Sequence, residues 1–318
     1  MQHRYRDNID KTKNLINFNK CLELINKNIK FPLGAGKQGK TYKIISNDCG
    51  SVVLKEYYIS KKKTKDEIQK NVDSEQRIMK FFTKFVEKDI CPNFVKLYYY
   101  NRDVPYIVME YADNDATSFF KDDKLINENS ELYDIFLFQV LIGILCIHTQ
   151  SPLYHRDLKP ANILYKHIDK NIIFNYKINN KDYWIPTFGF LFMISDFGIA
   201  GPRQFGYPDI IDLGNEIIKC YSVNLSNKFN NFNDFINELS QDKQLIVKKE
   251  KLDLVNSIIF SIKKQYYSTQ SSILQKIQEF YKILTYDSSI IKILDKYFYK
   301  YTKKPNDADN IITFIMEY

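Results

Sequence analysis

One short stretch restricts the choice of fold more than any other. Gly34-Ala35-Gly36-Lys37-Gln38-Gly39-Lys40-Thr41 satisfies two phosphate-binding patterns at once. Gly34, Gly36 and Gly39 fit Gly-x-Gly-x-x-Gly, in which the missing Cβ lets backbone N–H groups approach phosphate. Extended to Lys40 and Thr41, the same residues fit Gly-x-x-x-x-Gly-Lys-Thr, the P-loop. A P-loop needs an apolar strand before it and a helix after it, so that the helix N-terminus faces the phosphates. Here Asn28 to Leu33, with Pro32 inside, makes a poor buried strand. Behind the loop, Thr41–Ile45 runs into the turn Asn47-Asp48-Cys49-Gly50 and a second β-rich run, Ser51–Tyr58. That pattern predicts a hairpin and not a helix. No later run has the form of an apolar strand ending in a metal-binding Asp, so the P-loop reading is set aside.

The rest of the chain follows a coarse order. Residues 8–28 carry Ile9, Leu15, Ile16, Leu22 and Ile25 at helical spacing, and Pro32 ends that stretch. Residues 66–85 return to helical spacing through Ile68, Val72, Ile78, Phe81, Phe82 and Phe85, and Phe94–Tyr100 and Tyr106–Tyr111 are strand-like. Beyond that the chain reads as mostly helical, apart from short β-like pieces between Ile163 and Ser195. The expectation is an α+β fold: a small β-rich part and a larger α-helical part meeting near Ala112.

Composition narrows the class. The 318 residues are 44% hydrophobic and 26% charged, which is globular material and not a disordered chain. The run Ile135–Ile147 is broken by Gln139 and falls short of the ~20 residues that span a bilayer, so it predicts a buried helix and no transmembrane segment. Met1 to Arg6 has no apolar segment behind it, so no secretory signal is expected and a cytoplasmic location is. The five cysteines (21, 49, 91, 146 and 220) form no Cys-x-x-Cys pair, which argues against a zinc ribbon or a disulfide framework. The net charge of +8 comes almost wholly from Lys, alongside abundant Ile, Asn, Tyr and Phe. That is the fingerprint of A/T-rich coding sequence. With Arg scarce, no specific nucleic-acid binding is expected.

Four further stretches carry chemistry. Val52-Val53-Leu54-Lys55 puts a lysine in an apolar strand, where its charge needs a partner. Glu75 lies in the helical run that follows; Glu67 is the competing acid. Then come His155-Arg156-Asp157-Leu158-Lys159-Pro160-Ala161-Asn162 and Asp196-Phe197-Gly198. In this order and spacing the chain resembles the eukaryotic-type protein kinases, with good matching over about residues 30–220, and Lys159-Pro160 resembles the serine/threonine branch.

The resemblance implies a bilobal fold: an N-terminal extension (1–29), an N-lobe (30–112) and a C-lobe (113–318). It implies ATP and Mg²⁺ as cofactors and protein substrates as partners. Lys55, paired with Glu75, would hold the α- and β-phosphates. Leu33, Gly34, Gly36, Gly39, Thr41 and Val53 would cover the nucleotide. Met109 would be the gatekeeper, with Glu110 C=O and Ala112 N–H at the adenine edge, and Asp113 or Asp115 near the ribose. Asn162 and Asp196 would bind the metal. Asp157 would accept the substrate hydroxyl proton, and Lys159 would offset charge on the γ-phosphoryl group. His155 would be structural, under Phe197, with Leu97 and Met79 completing an apolar spine. Asp209 would anchor the catalytic-loop backbone.

Two departures qualify the resemblance. Asn162 and Asp196 are unusually far apart, with an insertion at about 168–190 whose alternating residues around Asn179-Asn180 predict a hairpin. Its Ile185-Pro186-Thr187-Phe188-Gly189 is similar to kinases of poxviruses and other large DNA viruses, for which the location would be host cytoplasm or virion; the A/T bias equally fits a cellular genome. Second, only Ile199 to Pro208 separates Asp-Phe-Gly from Asp209. This segment has no Ser or Thr, only Tyr207, so no activation-loop phosphorylation switch is expected. The alternatives are a pseudokinase acting as a binding module and a small-molecule kinase of the same fold.

Overall fold

The computed structural model describes residues 22–25, 27, 29–36, 38–46, 50–58, 65–101, 105–121, 131–151, 153–202, 209, 290–291, 294–295, 297–306 and 310–317. The predicted helix at 8–28 lies mostly outside these; its residues 22–25 are helical. Five strands form the first sheet: β1 (Phe31–Ala35), β2 (Gly39–Ser46), β3 (Gly50–Tyr57), β4 (Leu97–Asn101) and β5 (Tyr106–Glu110). Their order is β1-β2-β3-β5-β4, antiparallel throughout. The stretch after the glycine loop is thus a hairpin, as the turn at 47–50 predicted.

Strand alternation divides β3 between two faces. Val52 and Leu54 join Ile44, Tyr106 and Val108 on one face, where Leu24 and Ile25 pack. Val53, Lys55 and Tyr57 point to the other face, toward helix α1 (Lys65–Glu87). Among the described side chains of α1, Val72, Glu75, Gln76, Met79, Phe82, Thr83 and Val86 are buried, a single stripe at helical spacing. Glu75 lies in that stripe and is therefore carried into the interior.

Beyond β5 come β6 (Asn114–Asp115), α2 (Ala116–Lys121) and α3 (Leu132–Gln150). Asp115 Oδ1 accepts from Ser118 N (3.0 Å) and so caps α2; Asp113 Oδ2 accepts from His167 N (2.7 Å). Helix α3 is apolar nearly all round and is buried from Ile135 to His148. Gln139, a polar residue within that buried run, is satisfied inside the core: it donates to Phe190 O (3.0 Å) and accepts from Phe192 N (2.9 Å) and Asn93 Nδ2 (3.1 Å).

Then follow β7 (Leu153–Tyr154), a 3-10 turn (Pro160–Asn162), β8 (Ile163–His167), β9 (Ile172–Ile178), β10 (Lys181–Pro186), β11 (Phe190–Ile194), β12 (Gly201–Pro202) and, near the C-terminus, β13 (Asn310–Met316). The β9–β10 hairpin turns at Asn179, whose φ is 52°. Thr187 to Gly189 makes the turn from β10 into β11, with Gly189 at φ 87°, a conformation that glycine adopts without strain.

The predominantly helical reading beyond residue 112 misses β13. This strand runs parallel to β9, giving a sheet of order β10-β9-β13. Ile312, Phe314 and Met316 are buried, and Ile315 between them is exposed. Its pattern is a strand's, but its partner lies far back in the sequence. The face built by Tyr176 and Tyr183 meets Phe138 of α3, at ring-centroid distances of 5.4 Å each. Residues 210–289, part of the stretch read as mostly helical, lie outside the described residues. Among the described residues, no helix is long and apolar enough to cross a membrane.

Candidate active site

Lys55 is in a central strand, opposite Thr41 on one side and Ile107 on the other, and only 8% exposed. Its ammonium donates to Glu75 Oε1 at 2.7 Å and to Asp196 Oδ1 at 2.9 Å. Residues far apart in sequence thus meet at one cation. Burial works against the Lys55 charge, but Glu75 and then Asp196 outweigh it and hold its pKa above the ordinary lysine value. At Asp196 burial opposes ionisation, and Lys55 overcomes it, with smaller help from His155 and the Gly198 N–H; the net pKa is below the usual carboxylate range.

The pairing of β8 with β11 explains how a long insertion leaves the site intact. Ile163 faces Ile194, so Asn162 and Ser195 are neighbours at the end of the ladder. Ser195 N and Oγ both donate to Asn162 O at 2.9 Å. The chain between β8 and β11 loops out and returns, and its length does not affect the ends that carry Asn162 and Asp196. Asp196 has φ 60°, which turns its carboxylate back toward Lys55.

Asp157 and its neighbours form a second cluster. Lys159 Nζ donates to Asp157 Oδ2 at 2.6 Å, and Asn162 Nδ2 donates to the same oxygen (2.9 Å) and to Asp157 O (2.8 Å). The loop is held from below by Asp209, fully buried, which accepts from His155 N and Arg156 N at 2.9 Å each and lies 3.1 Å from His148 Nε2. Burial alone would raise the Asp209 pKa; the His148 contact, the His155 field and the Arg156 N–H bring it below the ordinary value. Asp209 therefore anchors the backbone at His155 and Arg156, as its position suggested. The partnership with His148 carried no sequence signal beyond a polar residue at the end of an apolar helix.

His155 is buried. Its Nε2 donates to Ser195 O at 2.8 Å and its ring lies 4.9 Å from that of Phe197. Phe197 also stacks on Phe82 at 5.3 Å, and Phe82 on Phe94 at 4.5 Å. Met79 and Leu97 are in the same core. The stacking of Phe197, Phe82 and Phe94 was not expected from the sequence, because a phenylalanine has the same local signal wherever it packs.

The glycines of the loop differ. Gly39 is buried, and a Cβ there would collide with the Glu56 carbonyl oxygen of the neighbouring strand. At Gly36 a Cβ would meet nothing within 4 Å, and at Gly34 its nearest neighbour would be Thr41 Oγ1 at 3.7 Å. Gly39→Ala is expected to destabilise the fold by about 1–3 kcal/mol through forced strand separation. Gly36→Ala is expected to leave the melting temperature unchanged and to weaken nucleotide binding; calorimetric melting with and without ATP separates the two. The Gln38 carboxamide reaches across to Gly198, so loop and Asp-Phe-Gly turn are in contact.

The remaining expected nucleotide contacts sit around the same sheet. Leu33 is half exposed on β1, and Val53 on β3 faces Met109 on β5. Ala112 follows β5 and is half-buried. The Glu110 side chain is buried: Oε2 accepts from Lys96 N (3.2 Å) and Oε1 is 3.5 Å from Lys166 Nζ. It thereby ties the end of β5 to β8, a side-chain role that sequence reading did not assign.

Comparisons agree with this geometry. The protein kinase domain model matches residues 28–205, more than half of the chain. A probable serine/threonine-protein kinase of Invertebrate iridescent virus 6 is 38% identical over 66 residues, 20% of this chain and 12% of that protein. Mitogen-activated protein kinase kinase 2 of Arabidopsis thaliana is 28% identical over 165 residues, 48% of this chain and 44% of that protein. Mitogen-activated protein kinase 4 of Rattus norvegicus is 34% identical over 97 residues, 30% of this chain and 27% of that protein. The chain therefore spans less than half the length of each of these relatives. With the domain match covering the glycine loop, Lys55, Glu75, the catalytic loop and Asp-Phe-Gly together, the chain belongs to the protein kinase family of eukaryotic type, with serine/threonine kinases as its relatives.

Proposed function

We propose that the protein transfers the γ-phosphoryl group of ATP to serine or threonine hydroxyls of protein substrates. The observation that carries the reading is Lys55, within 2.7 Å of Glu75 and 2.9 Å of Asp196. A lysine so held is a fixed cation for the α- and β-phosphates and needs no reorganisation during reaction. We take the architecture as two lobes, residues 30–112 and 113–318, with 1–29 as an extension and the β9–β10 hairpin as an insertion in the second.

The residues fit nucleotide and metal. The open space beside Gly36 suits a phosphate approached by backbone N–H groups. Among the described residues, no group of three or more His, Cys, Asp or Glu is placed to hold a metal by itself. Mg²⁺ instead favours one or two protein oxygens plus substrate phosphates, and Asn162 and Asp196 supply that kind of partial set. When bound, Mg²⁺ would neutralise charge on the phosphate oxygens. Leu33, Thr41, Val53 and Met109 would enclose the adenine, and Glu110 C=O and Ala112 N–H would meet its edge. Asp157 has one oxygen committed to Lys159 and Asn162, so the other is left to orient the acceptor hydroxyl and take its proton. Lys159 would offset the charge of the transferring group.

We further propose that turnover needs no phosphorylation of the activation segment. The support is backbone pairing of β12 with β7, and an Arg156 guanidinium packed so closely over Gly201 that a Cβ there would collide with it. Tyr207 lies outside the described residues and is the only hydroxyl in the segment. Tyr207→Phe is expected to keep full turnover; loss of activity in that variant would refute phosphorylation independence. The function itself is tested by incubation with Mg²⁺, γ-labelled ATP, casein and a basic protein. Acid-stable label on Ser or Thr is expected, and label confined to small molecules would instead indicate a small-molecule kinase.

A further inference from the structure

Glu75 has two carboxylate oxygens, and the Lys55 ion pair uses only one. The other, Oε2, accepts a hydrogen bond from the Tyr57 hydroxyl at 2.7 Å. Tyr57 lies two residues beyond Lys55 on β3, so strand alternation puts both side chains on the face that meets α1. Tyr57 is 8% and Glu75 1% exposed, so water has little access to the contact. The Tyr57 N–H is fixed in turn by Pro105 O at 3.0 Å, and Lys55 Nζ is 5.2 Å from the centre of the Tyr57 ring.

We propose that Tyr57 is a positioning residue for phosphoryl transfer, a second latch that holds Glu75, and through it α1 and Lys55, in the catalytic arrangement. A carboxylate held by one flexible lysine can rotate about its own side-chain bonds. Two donors from the same rigid strand fix both oxygens and leave Glu75 a single orientation. Burial, and then the negative charge of Glu75, push the Tyr57 phenol pKa upward, so the hydroxyl keeps its proton and remains a donor. The latch also gives α1 a contact independent of the activation segment. The inference rests on the phosphotransfer reading above.

Tyr57→Phe keeps the ring and removes only the hydroxyl. It is expected to lower kcat about 10-fold, the scale of a lost hydrogen bond to a charged group, with little change in KM for ATP. Tyr58→Phe, at the exposed neighbouring position, is the control and should leave turnover unchanged. The decisive readout is the double-mutant cycle with Glu75→Gln. Tyr57→Phe should have little further effect on kcat in the Glu75→Gln background, because the partner of the hydroxyl has already been altered. An equal fold-loss in both backgrounds would assign Tyr57 a merely structural role, and an unchanged kcat in Tyr57→Phe would remove the latch altogether; either result overturns the inference and leaves the kinase reading standing. No turnover by the unsubstituted protein would overturn that reading, and the latch with it.

Discussion

Asp157→Asn is expected to lower kcat by about 10³-fold, within the 10²–10⁴ range typical of a positioned general base. The substitution keeps the size of the side chain and one oxygen to accept from Lys159 and Asn162, which now meet Asp157 Oδ2 at 2.6 and 2.9 Å. The loop backbone is held separately, by Asp209 on the N–H groups of His155 and Arg156. The fold and ATP binding should therefore survive, and the loss should fall on kcat with KM for ATP little changed. Steady-state kinetics beside an ATP-dependent thermal shift give both quantities. An activity loss matched by a collapse of the thermal shift would place Asp157 in folding or nucleotide binding instead.

Lys55→Met has the second large effect, and it acts on stability as well as rate. Removing the ammonium strands two carboxylates. Among the described residues Glu75, with a side chain only 1% exposed, keeps Tyr57 alone, while Asp196, 41% exposed, is partly rescued by solvent. Breaking a buried ion pair on one side costs about 3–5 kcal/mol, because the surviving charge is left in a poor medium. The lower end is expected here, since Tyr57 still donates to Glu75. Transition-state stabilisation should fall by at least about 10²-fold, the scale for losing one preorganised electrostatic group. The additional substitution Glu75→Gln in the Lys55→Met background should recover part of the stability and none of the rate. Urea unfolding and kcat/KM, measured on both variants, check the pair of expectations.

Much of the site was legible because its residues announce themselves by type. A lysine in Val52-Val53-Leu54-Lys55 needs a counter-charge, and the fold supplies Glu75 and Asp196 at 2.7 and 2.9 Å. The glycine loop was recognisable, as was the hairpin behind it, because a turn at 47–50 separates two β-rich runs. What escaped were pairings whose partners have ordinary local sequences. Tyr57 is a strand tyrosine among twenty-four tyrosines, and only the approach of α1 makes it a donor to Glu75. Gln139 interrupts an apolar run in a way that reads as a break, yet its amide joins α3 to the strand that leads into Asp196. Strand β13 has alternation of its own, but its parallel pairing with β9 sets Asn310 opposite Ile172, a distant contact that no local window contains. The contact of Arg156 with Gly201 was hidden for the same reason: it follows from where β12 meets β7.

If the chain's own contacts assemble a complete phosphotransfer site, turnover needs no modification. The direct measurement is the initial rate of label transfer from γ-labelled ATP to casein, with Mg²⁺, by protein treated with phosphatase and then freed of it. Serine- or threonine-linked label is expected at the rate of untreated protein, with a rate at least about 10²-fold lower for Asp157→Asn under the same conditions. Nucleotide binding without any label from either preparation would contradict it.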